Sequence, residues 1–273
     1  MKTIVTGANG FAGKWLCKML IERGQTVEGW VRSQPNDPVG GVDYRAVDVR
    51  YRSQVEAGMR LSQPDVVYHL AAITNLRECE EDPDVAVQTN VVGTKHVFSL
   101  MPDDATGVLA STCHVYGKPK KLPISEDHPL APMGVYAESK QNAEIEALAL
   151  GKRVVVARSF HHTGPGQAEQ YALADWSAQV RRGARTVRVG DLSLRRDYSD
   201  VRDIVAGYIL LGTAGIPGET YNLCSGESFT LQEMFDWIRI GTDSVPVVDE
   251  SRMRSGDVYD FRGNPKKAER LGW

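Results

Sequence analysis

No apolar run in the chain approaches the roughly 18 residues that a membrane-spanning helix needs, so no membrane partner is expected. The opening MKTIVTGANG lacks the long apolar stretch of a secretory signal and runs straight into a glycine turn, which points to the cytoplasm. Cysteine is scarce: Cys17, Cys79, Cys113 and Cys224 are scattered without CxxC spacing. That pattern suits free thiols in a reducing compartment better than disulfides or zinc. Positive charge is not in surplus, with 32 Lys+Arg against 35 Asp+Glu, so no nucleic-acid partner is expected. Internal repeats and low-complexity linkers are also missing. What remains is an ordinary globular composition, with 273 residues, enough for one large domain or two modest ones.

The first half alternates short apolar runs with helical patterns. KTIVTG reads as a buried strand and Phe11 to Arg23 as a helix stopped at Gly24. TVEGWVRS, VDYRAVDV, DVVYHLAA, GVLASTCHVYG and RVVVARSF supply five further strand runs. Continuous β-branched runs separated by helices indicate a parallel sheet covered on both faces, and right-handed crossovers make it a doubly wound, Rossmann-like α/β sheet. From His161 the pattern loosens. HHTGPGQ is turn-rich, and an amphipathic segment passes through Trp176 and Val180. YSDVRDIVAGYILLG leads into a helix, ETYNLCSG reads as another strand of the main sheet, and SFTLQEMFDWI is a helix after a Ser228 or Thr230 start signal. The expected division is a dinucleotide-binding domain of residues 1–160 with 198–224, and a smaller α+β lobe of 161–197 with 225–273.

Gly7, Gly10 and Gly13 in TGANGFAG fall between the first strand and the first helix. Glycine there permits a tight turn and close backbone approach to a pyrophosphate, and the helix N-terminus supplies N–H donors. The stretch after the second strand reads GWVRS, with Arg32 where NAD-binding folds usually carry an acid. Arg32 would pair with a 2′-phosphate that a carboxylate would repel, so the cofactor is read as NADP(H) rather than NAD(H).

TGANGFAG, Asp48-Val49, HLAA at 69–72, Asn90 and YAESK at 136–140 occur in the order seen in the extended short-chain dehydrogenases/reductases, which the chain resembles over nearly its whole length. RSFHHTGPGQ, RRDYSDVRDIV, ETYNLCSG and the ending RSGDVYDFRGNPKKAERLGW resemble the branch that acts on GDP-sugars. The resemblance implies a cofactor pocket built from Gly7, Asn9, Gly10, Phe11, Ala12, Gly13, Arg32, Asp48, Val49, Leu70, Ala71, Ala72, Asn90, Tyr136, Lys140 and Phe160. In it Asp48 meets the adenine edge, Leu70 to Ala72 line the cofactor, and Lys140 holds the nicotinamide ribose. It further implies a substrate pocket with Thr74, Cys113, His114, His161, Val189, Arg196, Arg254 and Asp257. There Arg196 and Arg254 hold the diphosphate, Asp257 meets the ribose, and backbone groups at Val189 and Gly190 meet the base. A homodimer through a four-helix interface, formed by the helices beginning near Asn90 and at Tyr136, is implied in the same way.

Tyrosine has an unperturbed pKa of about 10 and needs help to work as an acid or base near neutrality. Four-residue spacing puts Tyr136 and Lys140 on one helix face, where the ammonium is expected to favour the phenolate. Thr112 is the expected third hydroxyl, orienting a sugar C4 oxygen, with Ser111 the neighbouring alternative. Nucleotide-sugar dehydratases typically carry Asp and Glu after that threonine; here Cys113 and His114 follow, which argues against dehydration. The reading is NADPH-dependent reduction of the C4 keto group of a nucleotide-linked 4-keto-6-deoxyhexose, with GDP as the expected nucleotide. A 4-epimerase, a 4,6-dehydratase and a non-catalytic NADP(H)-sensing protein are the competing readings. A histidine pair such as His161 and His162 can hold a metal, but adjacent residues point differently and no ligand cluster accompanies them, so no metal is expected.

Overall fold

The computed structural model describes residues 1–253 and 257–273. In chain order its strands are β1 (Lys2–Thr6), β2 (Thr26–Val31), β3 (Val42–Ala46), β4 (Val66–His69), β5 (Thr106–Thr112), β6 (Val154–Ser159), β7 (His161–Thr163), β8 (Thr186–Val189), β9 (Arg195–Arg196), β10 (Tyr198–Asp200), β11 (Thr220–Leu223), β12 (Phe229–Thr230), β13 (Val245–Val248) and β14 (Asp260–Phe261). The helices are α1 (Phe11–Glu22), α2 (Arg52–Ser62), α3 (Leu76–Glu81), α4 (Pro83–Val87), α5 (Gly93–Leu100), α6 (Gly134–Ala149), α7 (Ala172–Arg181), α8 (Val201–Ala214), α9 (Leu231–Ile238) and α10 (Lys266–Glu269).

Seven strands form one parallel sheet in the order β3-β2-β1-β4-β5-β6-β11. Alternate residues of a strand face opposite sides. Val5 and Val155 pack with α1, α8 and α10, whereas Ile4, Val154 and Val156 pack with α2, α5 and α6. Both faces are therefore buried, which is why the strands read as unbroken apolar runs. The chain leaves β1 toward β2 and β3, then returns to β4 and continues the other way. The strand order thus reverses between β1 and β4, which opens a crevice at their carboxyl ends.

After β6 the chain leaves the sheet. α7, β8 and α9 enclose a smaller core of Leu173, Trp176, Val187, Val189 and Phe235. β10 and α8 bring it back to β11, and β12 onward leaves it again. HHT, read as turn, is the short strand β7, paired in parallel with β10. Three residues carry too little periodicity to show a strand whose partner lies 37 positions away in register, Tyr198 opposite His161. α9 takes Thr230 rather than Ser228 as its cap. The Thr230 hydroxyl accepts from the Glu233 N–H at 3.1 Å, while the Glu233 carboxylate accepts from the Thr230 N–H at 2.7 Å.

One buried polar cluster ties three strands to α6. Arg158 on β6 donates to both carboxylate oxygens of Glu144 on α6, at 3.0 and 2.7 Å, and to the Tyr116 hydroxyl at 3.1 Å. Ser111 on β5 donates to the same carboxylate, and Tyr116 donates to Asn222 on β11 at 2.7 Å. Removing one partner of such a pair strands the other charge without water. Arg158→Leu is expected to lower the unfolding free energy by about 3–5 kcal/mol in urea titrations. The double variant Glu144→Leu/Arg158→Leu should recover much of that loss; no recovery would mean that the cluster acts through packing rather than charge.

Candidate active site

The glycine turn sits at the β1 end of the crevice. Gly7 has φ +67°, and a Cβ there would lie 2.9 Å from the Ala71 nitrogen on the neighbouring strand connection. A Cβ on Gly13 would lie 2.2 Å from the Gly7 carbonyl oxygen, so α1 packs on the turn only because residue 13 has no side chain. The N-cap of α1 is Gly10, with no side-chain cap and no acid in the first turn, leaving its N–H groups directed at the crevice. This cradle fits a dinucleotide pyrophosphate. When bound, the nicotinamide supplies hydride transfer.

A cavity of about 620 Å³ runs from this turn across the ends of β5 and β6 to the smaller lobe. It brings together Gly7, Gly10, Phe11, Ala12, Gly13, Leu70 and Ala72 on the cofactor side with Thr112, Tyr136, Lys140 and Phe160. Thr74, Cys113, His114, His161, Arg196 and Asp257 line its other end. Arg254 lies outside the described residues. Asn9 and Arg32 are exposed, and Arg32 follows β2 close enough to lower the Asp48 carboxyl electrostatically. Arg50 has the larger effect on Asp48, through a 2.6 Å ion pair.

Several expected site residues are spent elsewhere. Asn90 is fully buried in a single π turn (Gln88–Val92) between α4 and α5. Its side chain accepts from the Ile73 N–H at 2.8 Å and donates to the Ile73 carbonyl and the Ser139 hydroxyl, at 3.0 and 2.9 Å. No donor is left for a cofactor, so Asn90 positions the loop after β4 and helix α6 instead. Val49 is packed in the core with its side chain against Gly93. Ala71 does not line the cavity; its N–H donates to Thr6 at 3.0 Å. Val189 is fully buried in the small-lobe core, and its carbonyl accepts from the Asp249 N–H at 2.8 Å, so only Gly190 of that pair reaches the cavity. Arg196 and Asp257, expected to hold separate parts of a nucleotide, are joined at 2.6 Å. Ser111 and Thr112 both line the cavity, but the Ser111 hydroxyl is committed to Glu144, which leaves Thr112 as the partner of Tyr136.

The electrostatics depart from expectation at Tyr136. Burial pushes its phenol well above the ordinary value, and the largest opposing contribution is the Thr112 hydrogen bond, not the charge of Lys140. The phenol therefore holds its proton at neutral pH. Burial pulls the Lys140 ammonium down to about 8, against the pull of Glu144 one turn along α6.

Residues missed in the sequence include Tyr171, whose hydroxyl meets Thr74 at 3.2 Å, and Tyr208, which meets Ser159 at 2.8 Å. Both residues line the cavity, Tyr171 from the cap of α7 and Tyr208 from within α8, positions that carry no functional signal in the sequence. The histidine pair does split as expected: His162 stacks on Phe11 with ring centroids 6.1 Å apart. The absence of a ligand cluster is overturned for the other member, because His161 lies with Cys113 and His114, their donor atoms all within 4.8 Å of one another. Adjacent β5 and β6 deliver them to one spot, a proximity that separations of nearly 50 residues hide.

The crevice and its cradle define the class, a Rossmann-type protein for a nicotinamide dinucleotide. Residues 3–224 match the NAD dependent epimerase/dehydratase family. The chain belongs to that family, the extended short-chain dehydrogenases/reductases. It is 33% identical over 227 residues to GDP-6-deoxy-D-mannose reductase of Pseudomonas aeruginosa, spanning 77% of this chain and 75% of that protein. The structure of RMD from Pseudomonas aeruginosa complexed with NADPH superposes with a TM-score of 0.82 at 27% identity, covering 99% of this chain and 92% of that one. UDP-glucose 4-epimerase of Thermus thermophilus, complexed with NAD, does so with a TM-score of 0.89 at 26% identity, covering 100% and 93%.

Burial of Lys140 has a sign that can be measured. The folded chain binds fewer protons than the unfolded chain between pH about 8 and 10.5. Its penalty, on the order of 3 kcal/mol, is therefore complete below pH about 8 and is relieved as pH rises toward 10.5. Lys140→Met should unfold at higher denaturant than the parent at pH 7, and the advantage should fade at pH 10.5; an advantage that persists would refer the effect to packing.

Proposed function

We propose that the protein uses NADPH to reduce the C4 keto group of a nucleotide-linked 4-keto-6-deoxyhexose, with GDP-4-dehydro-6-deoxy-D-mannose as substrate and GDP-D-rhamnose as product. The observation that carries this reading is the Thr112–Tyr136 hydroxyl pair with Cys113 and His114, not carboxylates, on the turn Cys113–Tyr116 that follows. A dehydratase needs an acid and a base beyond the tyrosine, and that turn offers no carboxylate. A reductase needs only a proton donor. Burial keeps Tyr136 protonated, so the phenol delivers its proton to the C4 oxygen as the alkoxide develops. Thr112 holds that oxygen against Tyr136, and Lys140, buried beneath them, bonds the cofactor ribose. Arg196 and Asp257 take the diphosphate and nucleoside end, with Arg254 assigned to the diphosphate from sequence alone. Similarity to a GDP-6-deoxy-D-mannose reductase favours GDP as the nucleotide.

We take Arg32 as the 2′-phosphate partner and NADP(H) as the cofactor. We also assign residues 1–160 with 198–224 to cofactor binding and 161–197 with 225–273 to the nucleotide sugar. The helices beginning near Asn90 and Tyr136 are assigned to a homodimer interface, where Ile145 and Leu148 of α6 present exposed apolar side chains.

Incubation with NADPH and GDP-4-keto-6-deoxymannose should give net loss of nicotinamide absorbance. Net-neutral cofactor with a changed sugar would mean epimerisation, and binding without turnover would mean a sensor. Tyr136→Phe should lower kcat by roughly 10²–10⁴-fold while NADPH affinity stays near that of the parent; normal turnover would remove Tyr136 as proton donor. Arg32→Asp should shift the NADPH/NADH affinity ratio toward NADH by tenfold or more, and an unchanged ratio would sink the 2′-phosphate assignment.

A further inference from the structure

The sugar end of the cavity holds a set of side chains that carbonyl reduction does not use. Cys113 and His114 open the turn that leaves β5, and His161 opens β7 immediately after β6. β5 and β6 are neighbours, with Thr112 opposite Ser159, so all three residues emerge together at the carboxyl ends of these strands. The His114 and His161 rings meet edge to face with centroids 5.5 Å apart, and all three residues line the cavity. One sulfur and two imidazole nitrogens lie within 4.8 Å of one another.

We propose that Cys113, His114 and His161 form a binding site for a thiophilic divalent cation, zinc being the natural fit, and that its occupancy closes the sugar end of the cavity. A thiolate with two imidazoles selects zinc and its cobalt or cadmium mimics over magnesium or calcium, which prefer oxygen. Three protein ligands leave the fourth tetrahedral position open, and here it opens on the cavity. Zn–S and Zn–N bonds of about 2.3 and 2.1 Å set ligand atoms roughly 3.5 Å apart, so the side chains draw together by about 1 Å on binding. The Cys113 thiol loses its proton to solvent as the Zn–S bond forms, and no electrons change hands.

The consequence follows from position. The His114 ring lies 6.0 Å from that of Tyr136, so a cation on the triad stands where the sugar carbonyl would approach Thr112 and Tyr136. Zinc therefore acts as a reversible inhibitor that a chelator removes. This second part rests on the function proposed above; cation binding does not, because it is measured without nucleotide or sugar.

Cobalt(II) titration of the purified, chelator-treated full-length protein tests it. One equivalent per chain should bind, with a near-ultraviolet thiolate-to-cobalt charge-transfer band and release of one proton. The band should vanish in Cys113→Ser and survive in Cys17→Ser/Cys79→Ser, whose thiols are buried in other clusters. His161→Asn should weaken cobalt at least tenfold while leaving the circular dichroism spectrum unchanged. No band, or a band that survives Cys113→Ser in folded protein, would overturn the site. Zinc at saturation should abolish NADPH oxidation, restored by EDTA; full turnover with the cobalt band present would overturn the inhibition and leave the site standing. Failure to turn over NADPH at any zinc level, with the band present, would instead sink the function proposed above.

Discussion

A chain of buried polar side chains sets the distance between the cofactor cradle and the tyrosine. It begins at Thr6, the last residue of β1, whose hydroxyl meets His69 at 2.7 Å and accepts from the N–H groups of Leu70 and Ala71. His69 passes it to Thr94 at 3.0 Å, Thr94 donates to the Asn90 carbonyl at 2.6 Å, and the Asn90 amide reaches Ser139. Ser139 donates to the Tyr136 carbonyl at 2.8 Å. Burial pushes His69 down to about 3, so it is a neutral connector rather than a charge. Each group has a partner where water cannot substitute, so a shift at either end would strand several of them. Two elements with no sequence continuity, the β1 turn and α6, are thereby held in one register.

A second constraint concerns charge. Lys140 sits nearly dry on the same helix, one turn before Glu144, which is already held by Arg158 and Ser111. Glu144 is thus close enough to ease the burial of Lys140 yet too well bonded to neutralise it by proton transfer. The result is an amine that titrates near the working pH beside a phenol that does not. Burial of this amine costs stability beside the residue proposed as proton donor.

The seven-stranded sheet was legible because burial on both faces writes itself as continuous β-branched runs, and the glycine turn because Gly7, Gly10 and Gly13 answer to steric demands at fixed spacing. That Thr112, Tyr136 and Lys140 line one cavity was legible from their positions after recognisable elements. What stayed hidden depends on neighbours distant in sequence. Asn90 sits where a cofactor ligand was expected, but its π turn aims the amide into the protein. Val189 ends β8, and its carbonyl, expected to meet a base, is taken by the Asp249 N–H of a strand connection 60 residues away. Strands β7, β9, β12 and β14 are two or three residues long and exist only because a partner is present. The convergence of Cys113 and His161 is of the same kind.

On the diphosphate role proposed for it, Arg196 would meet a phosphate with its ion pair to Asp257 already made. Arg196 is nearly buried and already engaged by the Asp257 carboxylate and three backbone carbonyls, so its desolvation was settled when the chain folded. A phosphate arriving at this guanidinium does not gain a hydrated cation; it displaces or shares an anion. Recognition would then be an exchange of partners, in which affinity depends on how well the incoming anion outcompetes Asp257. Binding of that kind responds weakly to bulk salt, because the attraction being won and the one being given up are screened together.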